Sequence, residues 1–309
     1  MMCIKERNAS DSTCKKLLRD KECFADLCNY AFFQGRQVIQ PEELVSREND
    51  LSTLIGKVDK PTEIKRYRDV VRKASIHGEY VIIGVEHQRT FDEKMIFRIL
   101  NYDATIYINQ VESKQEVYPV GSFVFYTGDE EWKLPETLKE TLKSIPSEME
   151  PYINDWRLPV IDLKTMDARK LTNRRLRDVV EISQSMFAGS YEGLRENRKI
   201  ETESFMMAAT FTRTNIRRED LPEGDEINMC KAMDQLFQRF ENQGMEKGET
   251  IGFEKGKLNT LKELLKVKLG TLSSPLEKQL TNTSLEKLNV LTLNIFNINS
   301  EEDVLKIIN

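Results

Sequence analysis

Tyr80-Val81-Ile82-Ile83-Gly84-Val85-Glu86-His87-Gln88 is the stretch that decides the fold. It is rich in β-branched residues and apolar up to Glu86, the composition of a strand buried on both faces. His77-Gly78 supplies a turn before it, and Tyr67-Arg68-Asp69-Val70-Val71 reads as the preceding strand. Further back, Phe24, Leu27, Cys28, Ala31 and Phe32 fall at i, i+3, i+4, i+7 and i+8, which predicts a helix over 22–33 stopped by Gly35. A weak strand is expected at 37–39 and a polar loop over 42–60. Beyond the central strand come a helix over 93–110 and a strand at 122–126 closed by Thr127-Gly128-Asp129. A short strand at 158–163 belongs at a sheet edge because Pro159 lacks a donor. The order is α-β-β-β-α-β-β, an α/β fold on one mixed sheet.

After Lys164 the pattern turns helical, over 169–186, 199–212 and 226–242. Gly244, Gly248, Gly252 and Gly256 then recur every four residues and would share one helical face, where a second helix can approach closely. Each glycine costs a soluble helix about 1 kcal/mol against alanine, so a flexible linker and a self-associating helix are both open. In the tail, Ser274-Pro275-Leu276-Glu277 and Thr283-Ser284-Leu285-Glu286 read as capping boxes, and Ser300-Glu301-Glu302-Asp303 opens a third helix. Leu288, Leu291, Ile295 and Phe296 form an apolar stripe on the middle one. The expected organisation is an N-terminal extension (1–20), a core (21–164), a helical extension (165–242), a glycine-spaced helix or linker (243–257) and a small helical bundle (258–309). That bundle packs on itself or on a partner, and a homodimer through the C-terminal helices is one expectation.

With 39% hydrophobic and 31% charged residues, the composition is globular rather than disordered. The longest apolar run is far short of the ~20 residues that span a bilayer, and the N-terminus has no apolar segment of a secretory signal. A cytoplasmic protein with no membrane association is expected. Five cysteines, without a C-x-x-C pair, and only two histidines argue against a zinc site. Reduced thiols are expected, with Cys23 and Cys28 serving as small apolar residues on a helix. No phosphate-binding glycine loop or dinucleotide fingerprint occurs, so no small-molecule cofactor is implied. The net charge of −5 means that contact with nucleic acid needs a local basic patch. Lys65, Arg66, Arg68, Arg72 and Lys73 are the candidates; a second run, Arg169-Lys170 continuing to Arg174-Arg175-Leu176-Arg177, reads as a solvated face.

The chemistry-bearing residues are Asp69, Glu86 and Gln88. Residues two apart on a strand share a face, so Glu86 and Gln88 project together. If the Asp69 strand pairs with theirs, two carboxylates meet, the oxygen donors that a Mg²⁺ ion favours. The backbone carbonyl of His87 is a further potential ligand. Such a site would hydrolyse a phosphodiester with metal-bound water. The structural alternative is Glu86 paired with Arg68, Arg89 or Arg98. His77 and His87 are expected to line a turn and a strand rather than to act as acid–base groups.

At these residues the sequence resembles the Rpn family, recombination-promoting nucleases also described as transposases, within the PD-(D/E)XK superfamily. The resemblance runs through Phe24-Ala25-Asp26-Leu27-Cys28-Asn29-Tyr30, Arg66-Tyr67-Arg68-Asp69-Val70, the central strand and Tyr102-Asp103-Ala104. It continues at Phe125-Tyr126-Thr127-Gly128, Glu131-Trp132 and Asn228-Met229-Cys230-Lys231-Ala232. It implies a bacterial protein with a restriction-endonuclease-like core, dependence on Mg²⁺ (or Mn²⁺ or Ca²⁺), and DNA cleavage linked to recombination, mobile elements or defence. It implies Asp69 as the first metal-binding aspartate, Glu86 as the second acidic ligand and Asp26 as an outer helper. Gln88 stands where the wider superfamily usually has lysine; its neutral amide can position water or phosphate but supplies no charge. The alternative is a non-catalytic DNA-associated protein that assembles through its C-terminal helices.

Overall fold

The computed structural model describes residues 2–45, 70–114, 116–191, 194 and 197–308. The chain divides into two units, 1–235 and 236–309. The first opens with α1 (Met2–Arg19), α2 (Lys21–Phe33), β1 (Leu44–Val45), β2 (Val70–Ile76), β3 (Glu79–Gln88), α3 (Met95–Glu112), β4 (Val120–Tyr126) and β5 (Val160–Asp162). The five strands lie in the order β1-β2-β3-β4-β5. β2 pairs antiparallel with both β1 and β3, and β3, β4 and β5 are parallel. This is the predicted mixed sheet and element order, with β5 at an edge. The weak strand is displaced from 37–39 to Leu44–Val45, because Asn29 takes the backbone there. Its Oδ1 accepts from the amides of Val38 (3.1 Å) and Ile39 (2.8 Å), and its Nδ2 donates to the Ile39 carbonyl (2.9 Å). The β2–β3 hairpin turns on His77 (φ 54°) and Gly78 (φ 87°), two left-handed residues that match the twist of the flanking strands.

Alternation along β3 divides the sheet's two faces. Ile83 and Val85 join Ala74, Phe123 and Phe125 in a core with residues of α1 and α2. On the other side Val124 and Tyr126 pack with Met95, Ile96 and Ile99 of α3. Two covered faces are what the continuous apolar run requires.

Next come α4 (Arg174–Ala188), β6 (Lys199–Glu201), α5 (Thr202–Thr212) and β7 (Glu226–Asn228), with β6 and β7 paired antiparallel. Residues 199–201 and 226–228 thus form a short ladder where helix was expected. Leu176, Val179, Val180, Met207 and Phe211 enter the core that holds Phe123, as do Cys14, Leu17 and Leu18 of α1. Residues of α1, α4 and α5 therefore complete one core with the sheet. The face bearing Ile83, Val85, Phe123 and Phe125 is wider than α2 alone can cover. Cys23 and Cys28 are fully buried on α2 as expected, and burial, followed by the nearby Asp20 charge, pushes the Cys23 thiol up to about 12.

Along the chain, α6 (Met229–Leu269) runs unbroken through all four spaced glycines, so the helix and not the linker is found. A Cβ at any of the four would meet nothing within 4 Å. In the second unit, α7 (Ser274–Thr281), α8 (Leu285–Leu293) and α9 (Glu301–Ile308) follow. Leu261, Leu265, Leu276, Leu280, Leu288, Leu291, Val304 and Ile308 form its core, so the bundle packs on itself. Ser273 caps α7, one residue ahead of the expected position, and its amide and hydroxyl donate to Glu301 (2.6 and 2.7 Å). Phe296 is 88% exposed, because residues 295–297 form a tight 3₁₀ turn that swings it off the expected stripe.

Asp26 fastens the two halves of the first unit. It is buried, and its carboxylate accepts from Gln37 Nε2 (3.0 Å), Thr172 N (2.9 Å), Thr172 Oγ1 (3.1 Å) and Asn173 N (2.8 Å). Asn173 in turn caps α4 by accepting from Leu176 N at 2.8 Å. The structure thus places Asp26, expected as an outer helper, in a clamp between α2 and the start of α4. Removing a buried acceptor strands its donors, so Asp26→Ala is expected to lose about 2–4 kcal/mol in urea unfolding. A loss below about 1 kcal/mol would show that the clamp is dispensable.

Candidate functional site

The carboxyl end of β3 carries three consecutive buried polar residues, Glu86, His87 and Gln88. In the parallel ladder with β4 they lie opposite Val124, Phe125 and Tyr126. As alternation predicts, Glu86 and Gln88 share a face: Gln88 Nε2 donates to Glu86 Oε1 at 3.2 Å.

The same Oε1 accepts a second, shorter bond from Arg98 Nη2 of α3, at 2.7 Å. Arg98 Nη1 donates to Asp92 Oδ2, also at 2.7 Å, and Asp92 Oδ1 accepts from the Lys94 amide at 3.0 Å. One guanidinium therefore bridges two carboxylates. Arg98, one of the three arginines weighed as partners of Glu86, makes this bond; Arg68 lies outside the described residues. Burial works against the charge on Arg98, but its bonds to Asp92 and Tyr102 and the nearby Glu86 hold its pKa above the ordinary arginine value. Slight burial works against the Asp92 carboxylate in the same way. Its bonds from Arg98 and the Lys94 amide prevail and keep it below the usual aspartate value.

His87 points to the opposite face. Its Nδ1 lies 2.9 Å from Asp11 Oδ1 of α1 and its Nε2 lies 2.8 Å from Thr127 Oγ1. The ring sits between Phe125 (6.3 Å) and Phe211 (5.8 Å). This side chain ties α1 to the central strand, the lining role expected of it. The main chain of His87 stays in the β3–β4 ladder.

The expected basic patch is divided. Arg72 Nη2 donates to the carbonyls of Leu18 (3.0 Å) and Arg19 (2.8 Å), satisfying the last turn of α1. Lys73 Nζ is 4.0 Å from the ring centre of Tyr80 and 3.8 Å from that of Tyr118. Both cations, expected at a DNA contact, have partners within the fold. Asp69, Lys65, Arg66 and Arg68 lie outside the described residues. The second run, expected to be a solvated face, is engaged with neighbouring groups. Arg169 pairs with Asp167 (2.8 Å), Arg175 with Glu201 (3.1 Å) and with Glu203, and Arg177 Nε donates to the Leu171 carbonyl (3.1 Å).

Sequence reasoning missed Asp92 and Asp11. Asp11 lies on a helix that carried no signal of joining the core. Asp92 had one: six residues before Arg98, it faces the first turns of α3, where a carboxylate is favoured.

For a hard divalent cation the donor chemistry fits, with a carboxylate from Glu86 and a carboxamide oxygen from Gln88. Among the described residues, no three of His, Cys, Asp and Glu group to hold a metal ion.

Residues 62–208 match the family described as "Putative transposase, YhgA-like". The matched span includes Asp69, Glu86, Gln88, Asp92 and Arg98. No curated protein and no solved structure matches the chain. Among the described residues, no helix is long and apolar enough to cross a membrane.

The Asp92–Arg98 bond has a pH signature. A carboxylate whose folded pKa is depressed stabilises the fold fully above the ordinary value of 3.8, and that contribution is lost as pH falls through the lower folded value. Asp92→Asn should therefore melt below the native chain at neutral pH, with the gap narrowing toward pH ~3. Thermal unfolding across that range checks this; a gap independent of pH would count against the ion pair.

Proposed function

We propose, from the match of residues 62–208 to the family described as "Putative transposase, YhgA-like", that the chain is a member of that PD-(D/E)XK/Rpn-type family and a metal-dependent DNA endonuclease serving recombination, mobile elements or defence. The observation that carries the reading is Glu86, a buried carboxylate held beside Gln88 at the end of a strand. Such a group costs several kcal/mol to bury unless a cation or hydrogen bonds satisfy it, and a strand needs no carboxylate there for its own stability.

In this reading Asp69 and Glu86, with the main-chain carbonyl of His87, hold Mg²⁺, or Mn²⁺ or Ca²⁺ in its place. Asp69 precedes Val70, and Val70 is the register partner of Val85, the neighbour of Glu86. The bound ion supplies a more acidic water and neutralises charge building on the phosphate. Gln88 contributes an amide that orients water or a phosphate oxygen and cannot itself take a proton at neutral pH. Lys65, Arg66 and Arg68 supply local positive charge to DNA on a chain of net charge −5. The protein works in the cytoplasm, and its C-terminal helices join two copies.

A second reading has its own support. The 2.7 Å bond from Arg98 already satisfies Glu86, as expected of a non-catalytic DNA-associated protein that assembles through its C-terminal helices.

Supercoiled plasmid separates the two. Nicking is expected with Mg²⁺ or Mn²⁺ and not with EDTA, falling at least about a hundredfold in both Asp69→Ala and Glu86→Ala. No nicking with any metal supports the second reading, and nicking that survives both substitutions refutes the site.

A further inference from the structure

Arg98 sits where two demands on Glu86 collide. Its guanidinium donates to Glu86 Oε1 at 2.7 Å, so a divalent cation bound to that carboxylate would stand beside an existing positive charge. Like charges at that separation repel strongly away from bulk water. The two cations therefore compete for one carboxylate. We propose that Arg98 is a latch on this site: it holds Glu86 while no metal ion is bound, and turns to a DNA phosphate once a metal ion takes the carboxylate. The proposal rests on Glu86 as a metal ligand.

Three features of the geometry favour exchange over a permanent ion pair. Arg98 has a second anchor, the 2.7 Å bond from Nη1 to Asp92, which keeps the guanidinium at the site after Glu86 is released. Exposure is graded: the Arg98 side chain is 33% exposed and that of Glu86 6%. The cation thus faces the solvent from which DNA arrives, with the carboxylate behind it. Finally, the guanidinium stays charged at every working pH, and its planar fork matches a phosphate through two parallel bonds. The ring of Tyr102, 6.0 Å from Cζ, supports it on α3. Glu86 consequently has a positive partner in both states, which removes the cost of an isolated buried carboxylate before metal arrives.

The test is calorimetric titration of the full chain with Mn²⁺, comparing the native protein with Arg98→Met, Arg98→Gln and Glu86→Gln, each checked for fold by circular dichroism. Removing the competing charge should tighten Mn²⁺ binding by about tenfold in Arg98→Met, and Glu86→Gln should abolish it. With Mn²⁺ present, binding of Arg98→Met to a DNA duplex should lose about one unit of salt slope, as expected when one phosphate contact disappears. If Arg98→Met does not fold, Arg98→Gln, which keeps a donor without the charge, carries the same expectation. Mn²⁺ binding that needs Glu86 but is unchanged or weaker without Arg98 overturns the latch and leaves the metal site standing. No Mn²⁺ binding that depends on Glu86, in any variant, overturns both.

Discussion

The structure depends on the strict alternation of side chains along a strand buried on both faces. In β3 it sends Ile83, Val85 and His87 to one core and Ile82, Glu86 and Gln88 to the other side. From Ile82 to Val85 the strand is apolar because neither face meets water there. Its last three residues are polar yet still buried, so each needs a partner supplied from another element. His87 finds Asp11 and Thr127 on its face, and Glu86 finds Arg98 on the other. A one-residue slip in register would exchange these environments, placing a carboxylate among Phe125 and Phe211 and an imidazole against a guanidinium. The polar end therefore fixes register as firmly as the apolar run does.

The partner for Glu86 comes from α3 for a reason visible in helix geometry. Met95, Arg98, Ile99 and Tyr102 fall at i, i+3, i+4 and i+7, one stripe of the helix. Met95, Ile99 and Tyr102 pack against Val124 and Tyr126, so Arg98 is carried to the sheet by its apolar neighbours. A cation on a core-facing stripe is unusual unless a carboxylate waits there. The helix packing and the ion pair thus require each other.

What was legible in the sequence was local. The period of two in β3, the period near 3.6 in α2, the left-handed pair His77-Gly78 and the edge proline each act through neighbouring residues, and the order of elements along the chain followed from them. The long-range bonds left no such trace. Asp26 meets Thr172 and Asn173 across 146 and 147 positions, and Asp11 meets His87 across 76. A structural aspartate such as Asp26 and one that serves a functional site look alike until the donors around them are known. Residues 199–201 and 226–228 are three-residue strands, too short to show a period of their own. The glycine-spaced segment is the converse case: its low intrinsic preference for helix is overridden because it continues α6 from Met229, and extending a helix is far easier than nucleating one.

Charge accounting bears directly on what the site does. On a chain of net charge −5, cations engaged in the fold contribute little to attracting a polyanion. Arg72 caps a helix, Lys73 lies over two tyrosine rings, and Arg175 is shared among acidic side chains. Each is held to a partner that it would have to abandon to meet a phosphate. Arg98 differs from Arg72 and Lys73, because its partners are carboxylates, donors suited to a divalent cation. Only a partner that can be taken over by another cation lets an engaged guanidinium change allegiance without leaving a buried charge unbalanced. That condition sets Arg98 apart from Arg72 and Lys73, whose partners are main-chain carbonyls and aromatic rings.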